Sequence, residues 1–359
     1  MKLNAFQKIN NNFLNWWCEK FWPLLDPQKQ FFGIQLDITN ACNLRCSHCY
    51  HDNHKNDGAL TYQQWLYVLE AYDVFLKKVH MSPRVTICGG EPFLVKYLFS
   101  LLDQIRMKFP NCELKILTNG TLINDEIAQK LKKYALTIQV SVDGPDEIRH
   151  ELIRGKSSFQ KTMAGCSILK KHNVPFCHLA VLSRRTSEWI EDFFTLAEKT
   201  GAYSMNFTRL IVEGAAKKLQ VLGEDQPLIS EQLKCAMEKI LYYARKSSIS
   251  TSTQGPLWHL IEDGFGSPSD IGFSGIVIGY RGDCKVTSRV SFSLGNIMEK
   301  SLTEMFFHHP VMKRLRSSKI DECGECKFFK KCRGDRNSSF AEYGHFFGKD
   351  PGCWLLSHE

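Results

Sequence analysis

The chain has 359 residues, a formal net charge of +8 and fourteen cysteines, and 43% of its residues are hydrophobic. That length suits one large domain with a smaller appendage and allows a sizeable core, and no Lys/Arg run marks a nucleic-acid surface. A secreted disulfide scaffold would be shorter and would open on a signal peptide, whereas residues 1–22 show neither a continuous apolar core nor a small-residue cleavage site. No apolar stretch is long enough to span a bilayer. A cytoplasmic setting, with thiolates reserved for metal, is therefore expected. The modest positive excess suits an acidic peptide or protein partner.

In chain order, residues 1–30 carry Phe6, Ile9, Phe13, Trp17 and Phe21 at helical spacing, with Trp16 and Trp22 nearby, and are expected to form an aromatic helical segment. From there to residue 230 strand-like and helix-like runs alternate. Strands are expected at Phe32–Thr39, Arg84–Cys88, Glu113–Thr118, Leu136–Val142, Phe176–Leu182 and Ser204–Leu210. Helices are expected from Thr61, where Gln64 completes a capping box, and over Leu94–Lys108, Asp125–Tyr134, Phe159–Lys171 and Glu188–Lys199. Six strands alternating with helices predict an α/β fold with a parallel sheet and right-handed crossovers. A curved sheet of six such units reads as a partial, TIM-like (β/α)6 barrel with its chemistry at the C-terminal strand ends. Residues 231–275 read as a helix, near Ser230–Arg245, and a Gly/Ser/Pro-rich linker over Gly264–Ser274. Residues 276–359 read as a small Cys-rich domain with two short strands and one amphipathic helix over Leu302–Leu315.

The run Cys42-Asn-Leu-Arg-Cys46-Ser-His-Cys49 follows directly on the first strand. Three thiolates from one loop can hold three corners of a [4Fe–4S] cube and leave one iron open. The competing reading is a zinc knuckle with His48 or His51 as fourth ligand, although zinc pairs usually repeat a two-residue spacing in two hairpins. Gly89-Gly90-Glu91-Pro92 follows the second strand, Thr118-Asn119-Gly120 closes the third, and Ser141-Val142-Asp143-Gly144 closes the fourth, with His150 and Arg154 beyond it. The order and spacing of these motifs over about Phe32 to Gly214 resemble the radical S-adenosylmethionine (radical SAM) superfamily. The resemblance implies a SAM-binding [4Fe–4S] cluster on Cys42, Cys46 and Cys49, which also form the catalytic centre. It implies that Gly89, Gly90, Glu91 and Pro92 receive the SAM amino group, glycines permitting close approach and a carboxylate suiting an ammonium. It further implies that Asn119, Ser141 and Arg154 line the SAM site, Arg154 toward the carboxylate and ribose, and that His48 and Tyr50 lie near adenine. Packing against the barrel is the alternative role for His48 and Tyr50.

In the tail, Cys323, Cys326, Cys332 and Cys353 supply four thiols. Four thiolates saturate a cube; a zinc ribbon is the other common outcome. The spacing resembles the SPASM extension of radical SAM peptide-modifying enzymes, which implies one auxiliary [4Fe–4S] cluster as electron sink or relay. The full SPASM pattern has further cysteines near the places held here by Lys300 and Arg336, so the inner auxiliary cluster is expected to be absent. Cys284, left without those partners, reads as a vestige or as a thiol hydrogen donor.

The resemblance implies reductive cleavage of SAM to a 5′-deoxyadenosyl radical and hydrogen abstraction from a ribosomally made precursor peptide, giving an oxidative side-chain crosslink. Flavodoxin or ferredoxin would supply electrons, and a separate protein is one candidate for leader recognition. Peptide epimerisation, tetrapyrrole or cofactor remodelling, and a non-catalytic iron–sulfur or zinc-stabilised binding protein are the alternatives.

Overall fold

The structure is a computed structural model that describes residues 31–51, 53–317 and 319–355. The N-terminal aromatic stripe lies outside the described residues. Strands β1 (Phe31–Asp37), β2 (Ser82–Cys88), β3 (Glu113–Thr118), β4 (Thr137–Ser141), β5 (Phe176–Leu182) and β6 (Met205–Arg209) pair in sequence order, all parallel. Helices α1 (Tyr62–Val79), α2 (Leu98–Lys108), α3 (Asp125–Leu131), α4 (Glu147–Arg154), α5 (Ser158–Lys171) and α6 (Ile190–Thr200) make the crossovers. The protein is an α/β partial barrel built on a parallel sheet.

Strand chemistry explains the layering. In β1 the alternate residues Phe32, Ile34 and Leu36 are buried, as the two-residue period requires. Phe32 packs on Phe75 of α1 with ring centroids 4.7 Å apart and on Phe306 at 5.0 Å. The capping box at the start of α1 forms as expected: Thr61 Oγ1 accepts from Gln64 N, and Gln64 Oε1 accepts from Thr61 N.

The structure departs from the sequence reading in several places, including unforeseen helices at Ala216–Val221 and Arg336–Tyr343. Residues 275–296 form three short strands, not two: β7 (Gly275–Ile278), β8 (Asp283–Lys285) and β9 (Ser293–Asn296). β7 pairs parallel with β1, and β8 and β9 follow antiparallel, so the sheet continues past β1 in the order β6-β5-β4-β3-β2-β1-β7-β8-β9. The helix expected over Leu302–Leu315 is two helices, Leu302–His308 and Pro310–Arg316. Pro310 lacks the N–H needed to continue the first, and His309 caps the second through Nδ1. α4 was not foreseen; it starts at Asp146, whose carboxylate accepts from Arg149 N at 2.9 Å, and it carries both His150 and Arg154.

Candidate functional site

The loop after β1 is fixed before its cysteines begin. Asn56 Oδ1 accepts from Asn40 N at 2.7 Å, Ala41 N at 3.0 Å and Thr39 Oγ1 at 3.0 Å. Cys42, Cys46 and Cys49 follow, each half-buried. Leu44 N donates to Cys42 Sγ at 3.4 Å, and Ser47 N donates to Ile153 O on α4 at 2.8 Å.

The two glycines of Gly89-Gly90-Glu91-Pro92 make a close approach, but to the chain's own cysteine loop. Gly90 N donates to Thr39 O at 2.7 Å and Glu91 N to Ala41 O at 2.9 Å. A Cβ at Gly89 would sit 2.2 Å from Thr39 O, and one at Gly90 would sit 2.2 Å from Ala41 O. Gly89 also has φ +129°, open to glycine alone at little cost. Pro92 is buried and opens a short 3-10 turn. These glycines seat the cysteine loop on the end of β2.

Glu91 is 0% exposed. Its carboxylate accepts from Thr118 Oγ1 at 2.8 Å, Asn119 N at 2.9 Å and Phe93 N at 3.2 Å. Burial lifts its pKa to about 7, and those three hydrogen bonds pull the other way. The side chain thus ties the ends of β2 and β3 together. Asn119 continues the chain of contacts: its Nδ2 donates to Asn43 Oδ1 at 2.9 Å and lies 3.9 Å from Cys42 Sγ, while its Oδ1 accepts from Thr121 N and Oγ1.

Asp143 was quoted in the strand-end motif without an assigned contact, and it organises the other side of the loop. It is 0% exposed. Oδ2 accepts from Arg154 Nε at 2.6 Å and lies 2.7 Å from His48 Nε2; Oδ1 accepts from Val181 N at 2.7 Å. Burial alone would raise this carboxyl, but Arg154, His48 and the Val181 amide hold it far below the usual range. Arg154 Nη1 then lies 3.9 Å from Cys46 Sγ. Tyr50 packs on His51, centroids 4.6 Å apart, and burial raises the pKa of its hydroxyl well above the ordinary value. Ser141 is half-buried at the end of β4. The structure therefore gathers Cys42, Cys46, Cys49, His48, Asn119, Arg154 and the GGEP turn at the ends of β1–β4. The signal that would have promoted Asp143 is a carboxylate just past a strand, eleven positions before an arginine it can meet from one turn of chain.

Burial pushes the Cys46 thiol up to about 12 and raises Cys42 and Cys49, against the pull of Arg154. Metal must therefore displace protons to bind here. Among the described residues, no three His, Cys, Asp or Glu side chains converge as for a single metal ion; in a cube each thiolate meets a different iron. A sulfur-only donor set in a loop locked at both flanks fits a cluster with one open iron.

The four tail cysteines share one pocket. Cys323, Cys326, Cys332 and Cys353 line one mostly apolar pocket with Leu257 and Phe329. Gly334 N donates to Cys332 Sγ at 3.4 Å and Arg336 Nη2 to Cys323 Sγ at 3.6 Å. The tail is clamped to the barrel by Arg209 of β6, whose Nη1 and Nη2 donate to Asp350 Oδ2 and Oδ1 at 2.9 and 2.8 Å. Asp350 also accepts from the amides of Asp335 and Gly352.

This is a parallel partial barrel with a thiol-rich loop stacked on its strand-end turns. Residues 36–197 match the model of the Radical SAM superfamily, and the chain carries a radical SAM domain, a family whose chemistry implies SAM and a [4Fe–4S] cluster. An uncharacterized protein, MJ0907, of Methanocaldococcus jannaschii is 31% identical over 180 residues, which is 49% of this chain and 61% of that protein. The AdoMet-dependent heme synthase of Methanosarcina barkeri is 26% identical over 351 residues, covering 89% of this chain and 95% of the relative. The mycofactocin maturase MftC of Mycolicibacterium smegmatis is 26% identical over 344 residues, covering 89% and 82%. The crystal structure of Streptococcus suis SuiB bound to precursor peptide SuiA superposes with a TM-score of 0.69 at 17% identity, over 91% of this chain and 76% of that one, a likeness of fold. Among the described residues no helix is long and apolar enough to cross a membrane.

Proposed function

We propose that this chain is a peptide maturase that cleaves SAM reductively and forms an oxidative side-chain crosslink in a ribosomally made peptide. The observation that carries the reading is the docking of a three-thiol loop onto the turns at the ends of β2, β3 and β4, in a chain whose tail gathers four more thiols around one pocket. Cys42, Cys46 and Cys49 would hold a [4Fe–4S] cluster, which when bound would supply the one-electron reduction that cleaves SAM and so the means to abstract a hydrogen from an unactivated carbon.

The protein's own residues bind and orient. Gly89, Gly90, Pro92 and Glu91 fix the cysteine loop, and the backbone of this turn, with the Glu91 carboxylate turned inward, offers the groups for the SAM ammonium. Arg154, held by Asp143, presents its guanidinium edge to the loop for the SAM carboxylate. Asn119 and Ser141 line the same strand ends; His48 and Tyr50 form the adenine side. The tail, read as a SPASM-type domain over residues 276–359, holds an auxiliary [4Fe–4S] cluster on Cys323, Cys326, Cys332 and Cys353. A flavodoxin or ferredoxin supplies electrons, and leader recognition falls to the barrel, the N-terminal segment or a separate protein. The domain limits 1–30, 31–230 and 231–275 belong to the same proposal, as does a cytoplasmic location.

The likeness to MftC over 89% of the chain favours a peptide substrate. Cys284 is 0% exposed on β8, a poor position for a thiol hydrogen donor, which counts against epimerisation. The similar likeness to a heme synthase favours tetrapyrrole remodelling as the second reading. A non-catalytic carrier has no use for the strand-end turns. The deciding experiment is anaerobic co-expression with candidate precursor peptides and mass spectrometry. A crosslink removes two hydrogens; unchanged peptides together with a converted tetrapyrrole would overturn the peptide reading.

A further inference from the structure

Arg336 stands where the full SPASM pattern has a cysteine, and the structure gives it a different occupation. Its side chain is 2% exposed, one of the largest buried side chains in the molecule. Nη1 donates to Phe346 O at 2.9 Å and Gly348 O at 2.7 Å, Nε to Gly334 O at 3.3 Å, and Nη2 to Cys323 Sγ at 3.6 Å. A Cβ at Gly334 would lie 2.3 Å from Arg336 Nη2, so the guanidinium is wedged between this turn and the cysteine pocket.

Carbonyls satisfy donors but do not balance a charge, and a buried guanidinium is costly without an anion. Among the described residues no carboxylate forms an ion pair with Arg336. The nearby Asp350 is occupied by both ends of Arg209, and Asp335 caps the helix Arg336–Tyr343. The group in direct contact with Arg336 that can carry negative charge is the Cys323 sulfur. A four-thiolate cube bears net negative charge, and a cation with an N–H aimed at one of its sulfurs favours the reduced, more negative form.

We propose that Arg336 is a positioning residue for the tail cluster, which orients Cys323 and raises the cluster's reduction potential by its buried charge and its N–H···S hydrogen bond. The proposal rests on the reading of the tail as an iron–sulfur site. The couple concerned is uptake of one electron without a proton, [4Fe–4S]2+ to [4Fe–4S]1+. The same replacement that removes a cysteine at this position thus supplies the remaining cluster with a counter-charge.

The test uses the full chain with Cys42, Cys46 and Cys49 all changed to Ala, so that only tail irons remain, titrated with dithionite and followed by electron paramagnetic resonance. About four irons per chain are expected. Adding Arg336→Gln should lower the reduced-to-oxidised ratio at a fixed potential about tenfold, which is about 59 mV for one electron. Arg336→Lys keeps the charge but cannot hold the carbonyls and the sulfur together, and should lower the ratio about threefold. If the Gln variant loses its irons, the Lys variant carries the test. Tail irons present with an unmoved potential overturn the role of Arg336 alone. Zinc, with no tail iron in the parent, overturns the cluster reading and this proposal with it.

Discussion

Arg154 Nε donates to Asp143 Oδ2 at 2.6 Å, with Asp143 wholly buried and Arg154 nearly so. The pair joins the end of β4 to α4 and points the guanidinium at Cys46. Asp143→Asn leaves that guanidinium buried without its anion. Breaking a buried pair on one side costs about 3–5 kcal/mol. The variant should fall by that amount in denaturant unfolding and should bind SAM more weakly. Unchanged stability and SAM affinity would contradict the role given to the pair.

Gly90 tests the seating of the cysteine loop. An Ala Cβ would stand 2.2 Å from Ala41 O, a contact that backbone alone must relieve. Overpacking of this kind costs about 1–3 kcal/mol, delivered here directly to the loop. Gly90→Ala should retain less than half of the first site's iron after anaerobic reconstitution, with tail iron unchanged. Full iron retention would show that the turn is more compliant than its contacts indicate.

The clamp between Arg209 and Asp350 is expected to hold the tail pocket closed. Arg209→Leu strands a carboxylate that is 1% exposed, again at a cost of about 3–5 kcal/mol. Iron content should drop from roughly eight per chain to about four, and the residual iron should still belong to the Cys42 loop. Retention of all eight would dissociate the clamp from the cluster.

Acid sensitivity should arise in part at His178 of β5. This side chain is 0% exposed; Nε2 lies 2.8 Å from Thr200 Oγ1, which itself donates to Leu196 O. Nε2–H is therefore the donor to Thr200, and burial lowers the pKa of the ring to about 4 from 6.5. The unfolded chain binds the proton first as pH falls, so this stability is complete above pH 6.5 and is lost as pH drops toward 4. A gap of that size corresponds to about 3 kcal/mol. His178→Gln should flatten the dependence of the urea midpoint between pH 7 and 5; an unchanged slope would contradict the assignment.

The barrel was legible because two signals coincide in it. Runs such as Phe32–Thr39 and Phe176–Leu182 are apolar, bounded by turn residues and followed by helical periods, and the structure places a strand at each. The three-thiol loop and the glycine turn were legible because their spacing is local in sequence. What escaped depends on distance in the chain. That β7 extends the sheet beside β1 follows from pairing across some 240 residues, which no local pattern encodes. Glu91 was expected to face a ligand, yet its partners Thr118 and Asn119 lie 27 and 28 residues away and turn it inward. Arg336 was noticed as a missing cysteine; its own bonds to Phe346 and Gly348 become visible only when the tail folds back.

The most direct test of the central claim is formation of 5′-deoxyadenosine. The anaerobically reconstituted full chain is mixed with SAM, dithionite and a candidate precursor peptide, and the product is quantified by mass spectrometry. The radical SAM reading predicts 5′-deoxyadenosine together with methionine, and loss of both when Cys42, Cys46 and Cys49 are changed to Ala. Absence of 5′-deoxyadenosine from a chain shown to hold its irons, with every candidate substrate, would contradict it.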